Sequence, residues 1–521
     1  MDAKVEFDHA ADWYARTAVA PRRWPSLTFE LDVDVCVIGG GLAGLTTALE
    51  VARRGWSVAV LEARRIAWNA SGRNLGFVRP GFAQDIEKIV ERCGIDHAKI
   101  LWAQSEDGVE YIRNLVRDTG MPGVEMGQGW LDVSKVDNGD ELVRTVSLLG
   151  QEFGVEAEGW PTERVRATLK SDHYFHAIHY PRAFHIHPLN YAMGLAAAAE
   201  AAGVRIFEDS PAISIDADGV RKRIATPSAR LRANHIVLAG NTHLGRLNPA
   251  LADTILPMTT FAAVTQPLGG RIQAAISYAG GVSDSHSANN HYRIIGGDRL
   301  LWSGDSTTWE SNPRGHVQSL RRSILQVYPQ LGDVEIESVW SGTSGFSVHR
   351  MPQIGEVSPG LWIASAFGGH GLNTTAMAGG LLARAIVEKD DSWRLFLPYD
   401  LVWAGGAFGR AIRQGMSVWS HRSEAIAASA ARRREKLRTQ ERLREEAAAA
   451  LTQLEEPEVV AGPAAVVTED PAPVMPVTVT PLPEVVFEVP ETAVSVSGES
   501  ASPKPKAGKP ARQTRKPKND L

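Results

Sequence analysis

Three glycines near the start of the chain have the spacing of a loop that binds the phosphates of a dinucleotide. Gly39, Gly41 and Gly44 fit the pattern G-x-G-x-x-G, between an apolar run and a helix-like run. The first glycine of such a pattern allows a tight turn, the second lets the backbone approach a pyrophosphate, and the third lets helix and strand pack closely. A helix beginning at Leu42 and Ala43 would point free N–H groups and a positive dipole end at the phosphates.

An acidic residue completes the pattern. Glu62, followed by Ala63, ends the second apolar run, about 20 residues after the glycines, where a carboxylate accepts hydrogen bonds from ribose hydroxyls. A carboxylate at this position disfavours the 2′-phosphate of NADP. The stretch therefore predicts a nucleotide site that fits either NAD or FAD.

A histidine-rich segment raises the question of a metal site. The stretch "HYFHAIHYPRAFHIHP" contains five histidines: His173, His176, His179, His185 and His187. Neither a cysteine nor a helical Glu–His pair accompanies them, although such partners are typical of zinc sites. We expect no metal, and we expect these histidines to line the approach of a substrate or to lie on a polar surface.

The composition is that of a water-soluble globular protein. The 521 residues are 44% hydrophobic and 22% charged, with a formal net charge of −5 and only two cysteines, Cys36 and Cys93. The charge indicates no overall attraction to nucleic acid, and two cysteines cannot form a disulfide framework. The N-terminus lacks the pattern of a signal peptide, and no run of roughly 18 apolar residues predicts a membrane span. We expect a cytoplasmic protein.

Segments typical of nucleotide binding alternate with β-rich segments along the chain. We therefore expect an α/β fold with two interleaved domains. One is Rossmann-like, with a doubly wound parallel sheet, and the other is an α+β substrate domain with an antiparallel sheet. The expected parts are a lead-in (1–31), the nucleotide domain (32–82, 186–254 and 346–400), the substrate domain (83–185 and 255–345), C-terminal helices (401–456), and a disordered linker with a basic tail (457–521).

The C-terminal segments leave several roles open. The Ala/Arg/Glu-rich stretch at about 420–455 could pack on the body, self-associate or lie on an anionic membrane, and its widely distributed charges favour a solvated or coiled helix. The basic end could attract nucleic acid, acidic lipid or a protein partner, although a solubilising tail is the simpler interpretation.

Three further segments resemble one known family. They are "WNASGRNLGFVRPG" (68–81), "HIHPLNYAMGLAAAAEAAGVRIFE" (185–208), and "RMPQIG" with "FGGHGLNTTAMAGGLLARAI" (350–355 and 367–386). Their order is similar to that in the FAD-dependent amine and amino-acid oxidoreductases of the D-amino-acid oxidase and glycine oxidase superfamily. The resemblance is greatest to the gamma-glutamylputrescine oxidase-like branch, and it covers roughly residues 10–400.

The second glycine-rich turn agrees with a resident flavin. An NAD molecule leaves after each turnover, whereas a flavin stays and its ring must be enclosed. The turn "GGHGL" consists of Gly368, Gly369, His370, Gly371 and Leu372. The N-terminus of the helix that follows can stabilise the flavin edge that becomes anionic on reduction. We therefore expect FAD.

The resemblance also implies contacts from other positions. The residues it places along the cofactor are Ser71, Gly72, Arg73, Asn74, Ala212 and Gly240. Some relatives link the flavin to a histidine near the first motif or to a cysteine near the second, but 62–82 contains no histidine and 340–390 no cysteine. His370 falls where the family has a histidine without a linkage. The expected flavin is noncovalent.

The reaction implied by the resemblance is oxidation of a primary or secondary amine or amino acid. A hydride passes to the flavin, water hydrolyses the resulting imine, and O2 is reduced to H2O2. Such chemistry needs no obligatory general base, so no catalytic residue is assigned. The candidates for substrate contact are Arg79, His349, Arg350 and Tyr292. Tyr292 and its neighbour Arg293 cannot both face a pocket from one strand, and packing in the core is the simpler role for either.

Two alternatives differ from an oxidase. A dehydrogenase of the same fold would pass electrons to a quinone or a carrier protein. A flavoprotein acting mainly through its tail would oxidise no amine. The sequence leaves the identity and stereochemistry of the substrate open.

Overall fold

The computed structural model describes residues 12–19, 21–245, 247–284 and 290–455. The chain divides into two compact units, Met1–Ala447 and Ala448–Leu521, and both sheets belong to the first. The disordered linker and basic tail expected for 457–521 lie outside the described residues.

Within these residues, seventeen strands form two sheets. The strands are β1 (Leu31–Ile38), β2 (Val58–Leu61), β3 (Phe77–Val78), β4 (Gly127–Val133), β5 (Glu158–Trp160), β6 (Ala177–His185), β7 (Arg205–Phe207), β8 (Ser214–Asp216), β9 (Lys222–Ala225), β10 (Arg230–Leu238), β11 (Leu256–Thr265), β12 (Gly281–Asp284), β13 (His291–Ile295), β14 (Arg299–Thr307), β15 (Ile336–Phe346), β16 (Gln353–Ser358) and β17 (Leu361–Ser365).

The helices fill the intervals between the strands and cover the sheets. They are α1 (Trp13–Arg16), α2 (Leu42–Arg53), α3 (Ala70–Arg73), α4 (Ile86–Cys93), α5 (Ile95–Thr119), α6 (Gly139–Phe153), α7 (Thr162–Leu169), α8 (Pro188–Ala201), α9 (Pro249–Ala252), α10 (Gly270–Ala275), α11 (Val317–Val327), α12 (Gly371–Glu388) and α13 (Gly406–Glu455).

The first sheet is parallel at its centre. Strands β17, β10, β1, β2 and β7 lie side by side in parallel, and β16 and the β8–β9 hairpin extend the sheet in antiparallel fashion. Side chains of β1 alternate between two cores: Val35 and Val37 pack on one face, and Cys36 and Ile38 on the other. A sheet buried on both faces is what the nearly continuous apolar strands predict.

The second sheet is mainly antiparallel. Its order is β15-β11-β14-β13-β12-β4-β6-β3, with β5 on β6, and the β12–β4 pair is parallel. The expected α/β fold with one doubly wound parallel sheet and one antiparallel sheet is confirmed. Strand β3 joins the second sheet although 32–82 was assigned to the nucleotide domain, so the domain boundaries stay predictions.

Helix α12 packs closely against two helices from earlier in the chain, α2 and α5. A Cβ on its Gly379 would lie 2.5 Å from Thr46 Cγ2 on α2, so only glycine permits this approach. Where α12 meets α5, a Cβ on Gly108 would lie 2.1 Å from the Asn373 carbonyl oxygen. This packing places the N-terminus of α12 beside that of α2.

At the two ends of the described chain, a lead-in and a long helix flank the sheets. Tyr14 and Trp24 of the lead-in are buried. The C-terminal helix α13 has 50 residues and runs from Gly406 to Glu455 as one continuous helix, within the range 401–456 for which C-terminal helices were expected. No helix among the described residues has the length and apolar character needed to cross a bilayer.

Candidate functional site

Two adjoining cavities lie beside the two glycine turns. The larger, of about 1010 Å³, has Gly39, Glu62, Ala63, Ala212 and Gly240 in its walls. The smaller, of about 270 Å³, is bounded by the whole second turn from Gly368 to Leu372. The cavities share six wall residues: Gly41, Ala70, Ser71, Arg73, Ala239 and Asn241. An elongated ligand could therefore extend from one into the other.

The first glycine turn forms a cradle that side chains would fill. Gly39 has φ of +119°, and a Cβ there would lie 2.6 Å from the Ala239 carbonyl oxygen. A Cβ on Gly41 would lie 2.9 Å from Ser71 Oγ, and one on Gly44 only 2.0 Å from the Gly39 oxygen. The turn ends at α2, whose Leu42 N–H donates to Ser71 Oγ over 3.1 Å. Gly41, Leu42 and Ala43 line the smaller cavity, so the N-terminus of α2, whose first N–H groups have no acceptor within the helix, suits the phosphates of a dinucleotide.

Glu62 lies in the wall of the larger cavity and fixes the turn. Its carboxylate accepts hydrogen bonds from the Gly40 N–H (2.7 Å) and the Arg64 N–H (2.9 Å). Burial raises its pKa, and the nearby Glu208 raises it further. Each carboxylate oxygen has a second lone pair, so Glu62 can still accept a ribose hydroxyl.

Glu208 was not identified from the sequence. This carboxylate is fully buried and accepts from the Trp24 N–H (3.1 Å) and the Ile66 N–H (2.7 Å), so it joins the lead-in to the loop after β2. Its position directly after β7, the strand parallel to β2, is the signal that could have revealed it.

Arg73 lies where the two cavities meet. Its guanidinium is paired with Asp12 of the lead-in, at 3.5 Å between Nε and Oδ2, and Nη1 donates to the Ser341 carbonyl oxygen over 3.3 Å. Nε is buried and has no hydrogen-bond partner among the described residues. Burial lowers the pKa of Arg73, and Asp12 opposes this shift. A buried cation in the walls of both cavities suits a pyrophosphate.

The uncharged residues of α3 and the Asn74 that follows it form part of the cavity wall or pack behind it. The Asn74 amide donates to the carbonyl oxygens of Ala70 (3.0 Å) and Ser71 (2.9 Å) and accepts from the Gly76 N–H. A Cβ on Gly72 would lie 2.6 Å from the Ala67 carbonyl oxygen. Ser71 and Asn74 lie in the wall of the smaller cavity, whereas Gly72 lies in neither wall and allows the close packing behind it.

The end of β10 supplies one residue that sequence reasoning missed. Asn241 follows Gly240, has φ of +50° and lies in the walls of both cavities. Its Oδ1 accepts from the Ala366 N–H over 3.3 Å, which joins β10 to the segment before the second glycine turn. An asparagine directly after a parallel strand and a glycine is the local signal.

The second glycine turn packs against Phe346. A Cβ on Gly368 would lie 2.3 Å from that ring, and Gly369 has φ of +90°. Helix α12 begins at Gly371, and its first residues, Gly371, Leu372 and Asn373, line the smaller cavity. Such an end favours a partial negative charge on a bound group.

Arg79 brings a positive charge to the smaller cavity. Its Nη1 lies 3.4 Å from Asp132 Oδ2, and its guanidinium lies over the rings of Trp130 (5.4 Å) and Tyr180 (5.8 Å). Trp130 also lies in the wall and donates to Asp132 over 3.1 Å. The aromatic rings and the carboxylate hold the Arg79 guanidinium in place, and its remaining N–H donors can bind a ligand in the cavity.

Two histidines share this cavity. Burial lowers the pKa of His291 to about 4, with Asp132 opposing this shift and Arg79 favouring it. Burial and then Arg79 lower the pKa of His370 well below its usual value. Both imidazoles are therefore neutral at ordinary pH, and Nδ1 of His291 is buried without a hydrogen-bond partner among the described residues.

Tyr292 does not fit the expected substrate contact. It is fully buried, stacks on Trp302 with ring centroids 4.5 Å apart, and shares a 2.8 Å hydrogen bond with the Tyr328 hydroxyl. Successive residues of β13 face opposite sides, so His291 faces the cavity and Tyr292 the core. Arg293 instead donates to the Ile186 carbonyl oxygen over 3.0 Å.

His349 and Arg350 also lie outside both cavity walls. His349 is buried beside Tyr399 and contacts the Asp400 carbonyl oxygen through Nε2 (3.1 Å). Arg350 is exposed and has φ of +61°. Of the four substrate candidates, Arg79 alone lines a cavity.

Comparisons with known proteins cover most of this first unit. A family model for "FAD dependent oxidoreductase" (DAO) matches residues 34–385. The chain is 29% identical to a probable oxidoreductase, OrdL, of Haemophilus influenzae, covering 75% of this chain and 91% of that protein. It is also 29% identical to the gamma-glutamylputrescine oxidoreductase of Escherichia coli, covering 74% and 92% respectively.

Solved structures show the same fold. Glycine oxidase from Geobacillus kaustophilus superposes with a TM-score of 0.61 at 19% identity, covering 71% of this chain and 99% of that one. L-proline dehydrogenase from P. horikoshii gives a TM-score of 0.59 at 19% identity, covering 71% and 98%.

Proposed function

Because the chain belongs to the DAO family of FAD-dependent oxidoreductases, which act on carbon–nitrogen bonds, we propose that it is an oxidase of an amine or amino acid with a carboxylate group. In the proposed reaction the substrate loses a hydride to the flavin from the carbon next to nitrogen, water hydrolyses the resulting imine, and O2 is reduced to H2O2. The observation that carries the proposal is that the two distant glycine turns, through Gly41 and Gly371, line one cavity.

The residues present fit a noncovalent FAD. The cradle at Gly39 and Gly41, which a Cβ would fill, takes the pyrophosphate together with Arg73. Glu62 would accept hydrogen bonds from a ribose, Ala212 would contact the adenine, and the N-terminus of α12 would stabilise the flavin ring. Of the described cysteines, Cys36 is buried within β1 and Cys93 lies on α4, so neither can reach either cavity.

Arg79 binds the carboxylate of the substrate in this proposal. Asp132, Trp130 and Tyr180 hold the guanidinium against the cavity wall, so little conformational entropy is lost when an anion binds. Trp130, Phe77 and Phe367 form an apolar wall that excludes water from the reacting carbon. His291, whose imidazole is neutral and lines the same cavity, orients the substrate amine.

Anaerobic reduction tests the proposal. Purified protein containing FAD is mixed without oxygen with a panel of amines, each with and without a carboxylate, and the flavin absorbance is followed before and after air is admitted. We expect bleaching by carboxylated amines, then rapid recovery with one H2O2 per substrate. Bleaching with slow recovery would indicate a dehydrogenase that uses another electron acceptor, and no bleaching by any compound would refute amine oxidation.

Acid precipitation tests the attachment of the flavin. The yellow colour is expected in the supernatant after denatured protein is removed. A yellow pellet would contradict noncovalent binding and would direct attention to His243, His291 and His370, which line the cavities.

A further inference from the structure

Helix α13 exposes a row of large apolar side chains to solvent. Phe408, Ile412, Met416, Trp419 and Ile426 are all exposed, with Phe408, Trp419 and Ile426 more than 70% accessible (72%, 74% and 71%). We refer to these five residues as the apolar stripe. Large apolar side chains exposed in a continuous row mark an interaction surface rather than chance exposure.

The five residues lie on one side of the helix. With 3.6 residues per turn, successive residues are about 100° apart, so all five fall within roughly 80° of the circumference. Phe408 and Ile426 are separated by five whole turns. The stripe is therefore a straight ridge along the first part of α13.

The opposite side of α13 is fixed to the body. The Thr308 N–H donates to Gln414 Oε1 over 3.0 Å, and the Thr308 hydroxyl donates to the Arg410 carbonyl oxygen over 3.1 Å. Farther along, Arg166 pairs with Glu435 at 3.0 Å, and Ala428 is buried. These contacts hold the helix with the apolar stripe turned outwards.

The charged residues near the apolar stripe indicate what kind of partner would bind there. Residues 401–423 contain Arg410, Arg413 and Arg422 and no aspartate or glutamate. Arg410 and Arg413 are only partly exposed, whereas Arg422 is exposed and lies about 40° from Phe408 around the helix. A second copy of the chain seated on the stripe would bring the two copies of Arg422 together without an acid of this segment to balance them. The segment therefore fits an anionic partner.

We propose that the apolar stripe lies on the surface of an anionic lipid bilayer. Phenylalanine and tryptophan side chains enter the boundary between head groups and acyl chains, and Arg422, which lies beside the stripe, meets a lipid phosphate. Leu401, Val402 and Trp403, just before the helix, are also exposed and extend the contact. This proposal is independent of the reaction, since it uses no residue of either cavity.

Vesicle flotation tests the proposal with the full chain containing FAD. Vesicles of phosphatidylcholine with about a third phosphatidylglycerol are compared with vesicles of phosphatidylcholine alone. We expect binding to the anionic vesicles that falls with added salt, and at least about a tenfold weaker partition for the variant F408Q/W419Q, because two large apolar side chains no longer leave water on binding. The control variant V143Q/V220Q, which removes two exposed apolar residues elsewhere, is expected to bind as the unchanged protein does.

The basic C-terminal residues, which lie outside the described part of the chain, would also attract anionic lipid. Both variants keep them, so equal binding by F408Q/W419Q and the unchanged protein would overturn the proposal. Absence of binding by the unchanged protein would overturn it as well. Light scattering that shows a dimer dissociated by F408Q/W419Q, without vesicle binding, would assign the stripe to a second copy.

Discussion

The guanidinium of Arg73 is paired with the carboxylate of Asp12 at 3.5 Å, with only 8% and 2% of the two residues exposed. Asp12 also caps α1 by accepting the Tyr14 N–H over 2.9 Å. The lead-in therefore reaches the point where the two cavities meet, and it supplies the counter-charge of the arginine proposed to bind pyrophosphate. The family model begins after this residue.

The Asp12 carboxyl is expected to make stability depend on pH. Burial raises its pKa from 3.8 to about 6, although Arg73 opposes the shift. The folded state then binds a proton more tightly than the unfolded state, so the free energy of unfolding falls as pH rises from about 4 to about 6. A shift of this size corresponds to roughly 3 kcal/mol.

The variant D12N resembles the protonated form and should lose this decrease. Urea denaturation at several pH values between 4 and 7 measures it, with D218N, at an exposed position, as the control. If D12N and the unchanged protein show the same decrease in stability over this range, Asp12 is not the responsible group.

Replacing Arg79 should change the substrate range. In R79Q the KM for a carboxylated amine is expected to rise about 10- to 100-fold, because a charge-assisted hydrogen bond contributes ~1.5–3 kcal/mol. The KM for an amine without a carboxylate should stay within a factor of a few. Steady-state kinetics on paired substrates measures both constants.

Arg113 offers a matched control for this experiment. It also lies over an aromatic ring, Phe184, at 4.5 Å, but outside both cavity walls. R113Q should leave both KM values unchanged. An equal loss for the two classes of substrate in R79Q would argue that Arg79 supports the fold of the cavity rather than the carboxylate.

Gly44 should control the retention of FAD. A Cβ in G44A would lie 2.0 Å from the Gly39 carbonyl oxygen, so α2 must move away from the turn that faces the phosphates. We expect the flavin-to-protein absorbance ratio after desalting to fall at least about tenfold if the shift costs ~1.4 kcal/mol or more in binding. G150A, on α6, meets no atom within 4 Å and should keep its flavin. Full retention in G44A would contradict the role assigned to the turn.

Local sequence patterns predicted those parts of the site whose residues are adjacent along the chain. The turn from Gly39 to Gly44 and the turn from Gly368 to Leu372 are continuous in sequence, and their glycines are required by close backbone contacts. Trp130 and Asp12 were not predicted, because they reach the cavity only through pairing of β4 and packing of the lead-in. A register shift between Gln128 and Trp130 in β4 further obscures the alternation of that strand.

The start of α13 shows another limit of local reasoning. C-terminal helices were expected over 401–456, but a single long helix only from about residue 420, and Gly405, Gly406, Gly409 and Gly415 lower the helix propensity before that point. In the structure, contacts of α13 with Thr308 hold the earlier turns. Tertiary packing therefore outweighs propensity in these turns.

His291 should orient the substrate without setting the pH dependence of the reaction. Burial lowers its pKa to about 4, so the imidazole is neutral above about pH 5 and cannot produce a change in kcat/KM between pH 5.5 and 8. H291N is expected to lower kcat/KM roughly tenfold, through loss of one hydrogen bond to the amine, while the midpoints of the pH profile stay in place. H173N, at a histidine with a similarly lowered pKa outside both cavity walls, serves as the control. A pH transition near 6 that disappears only in H291N would show that His291 titrates during catalysis, contrary to this prediction.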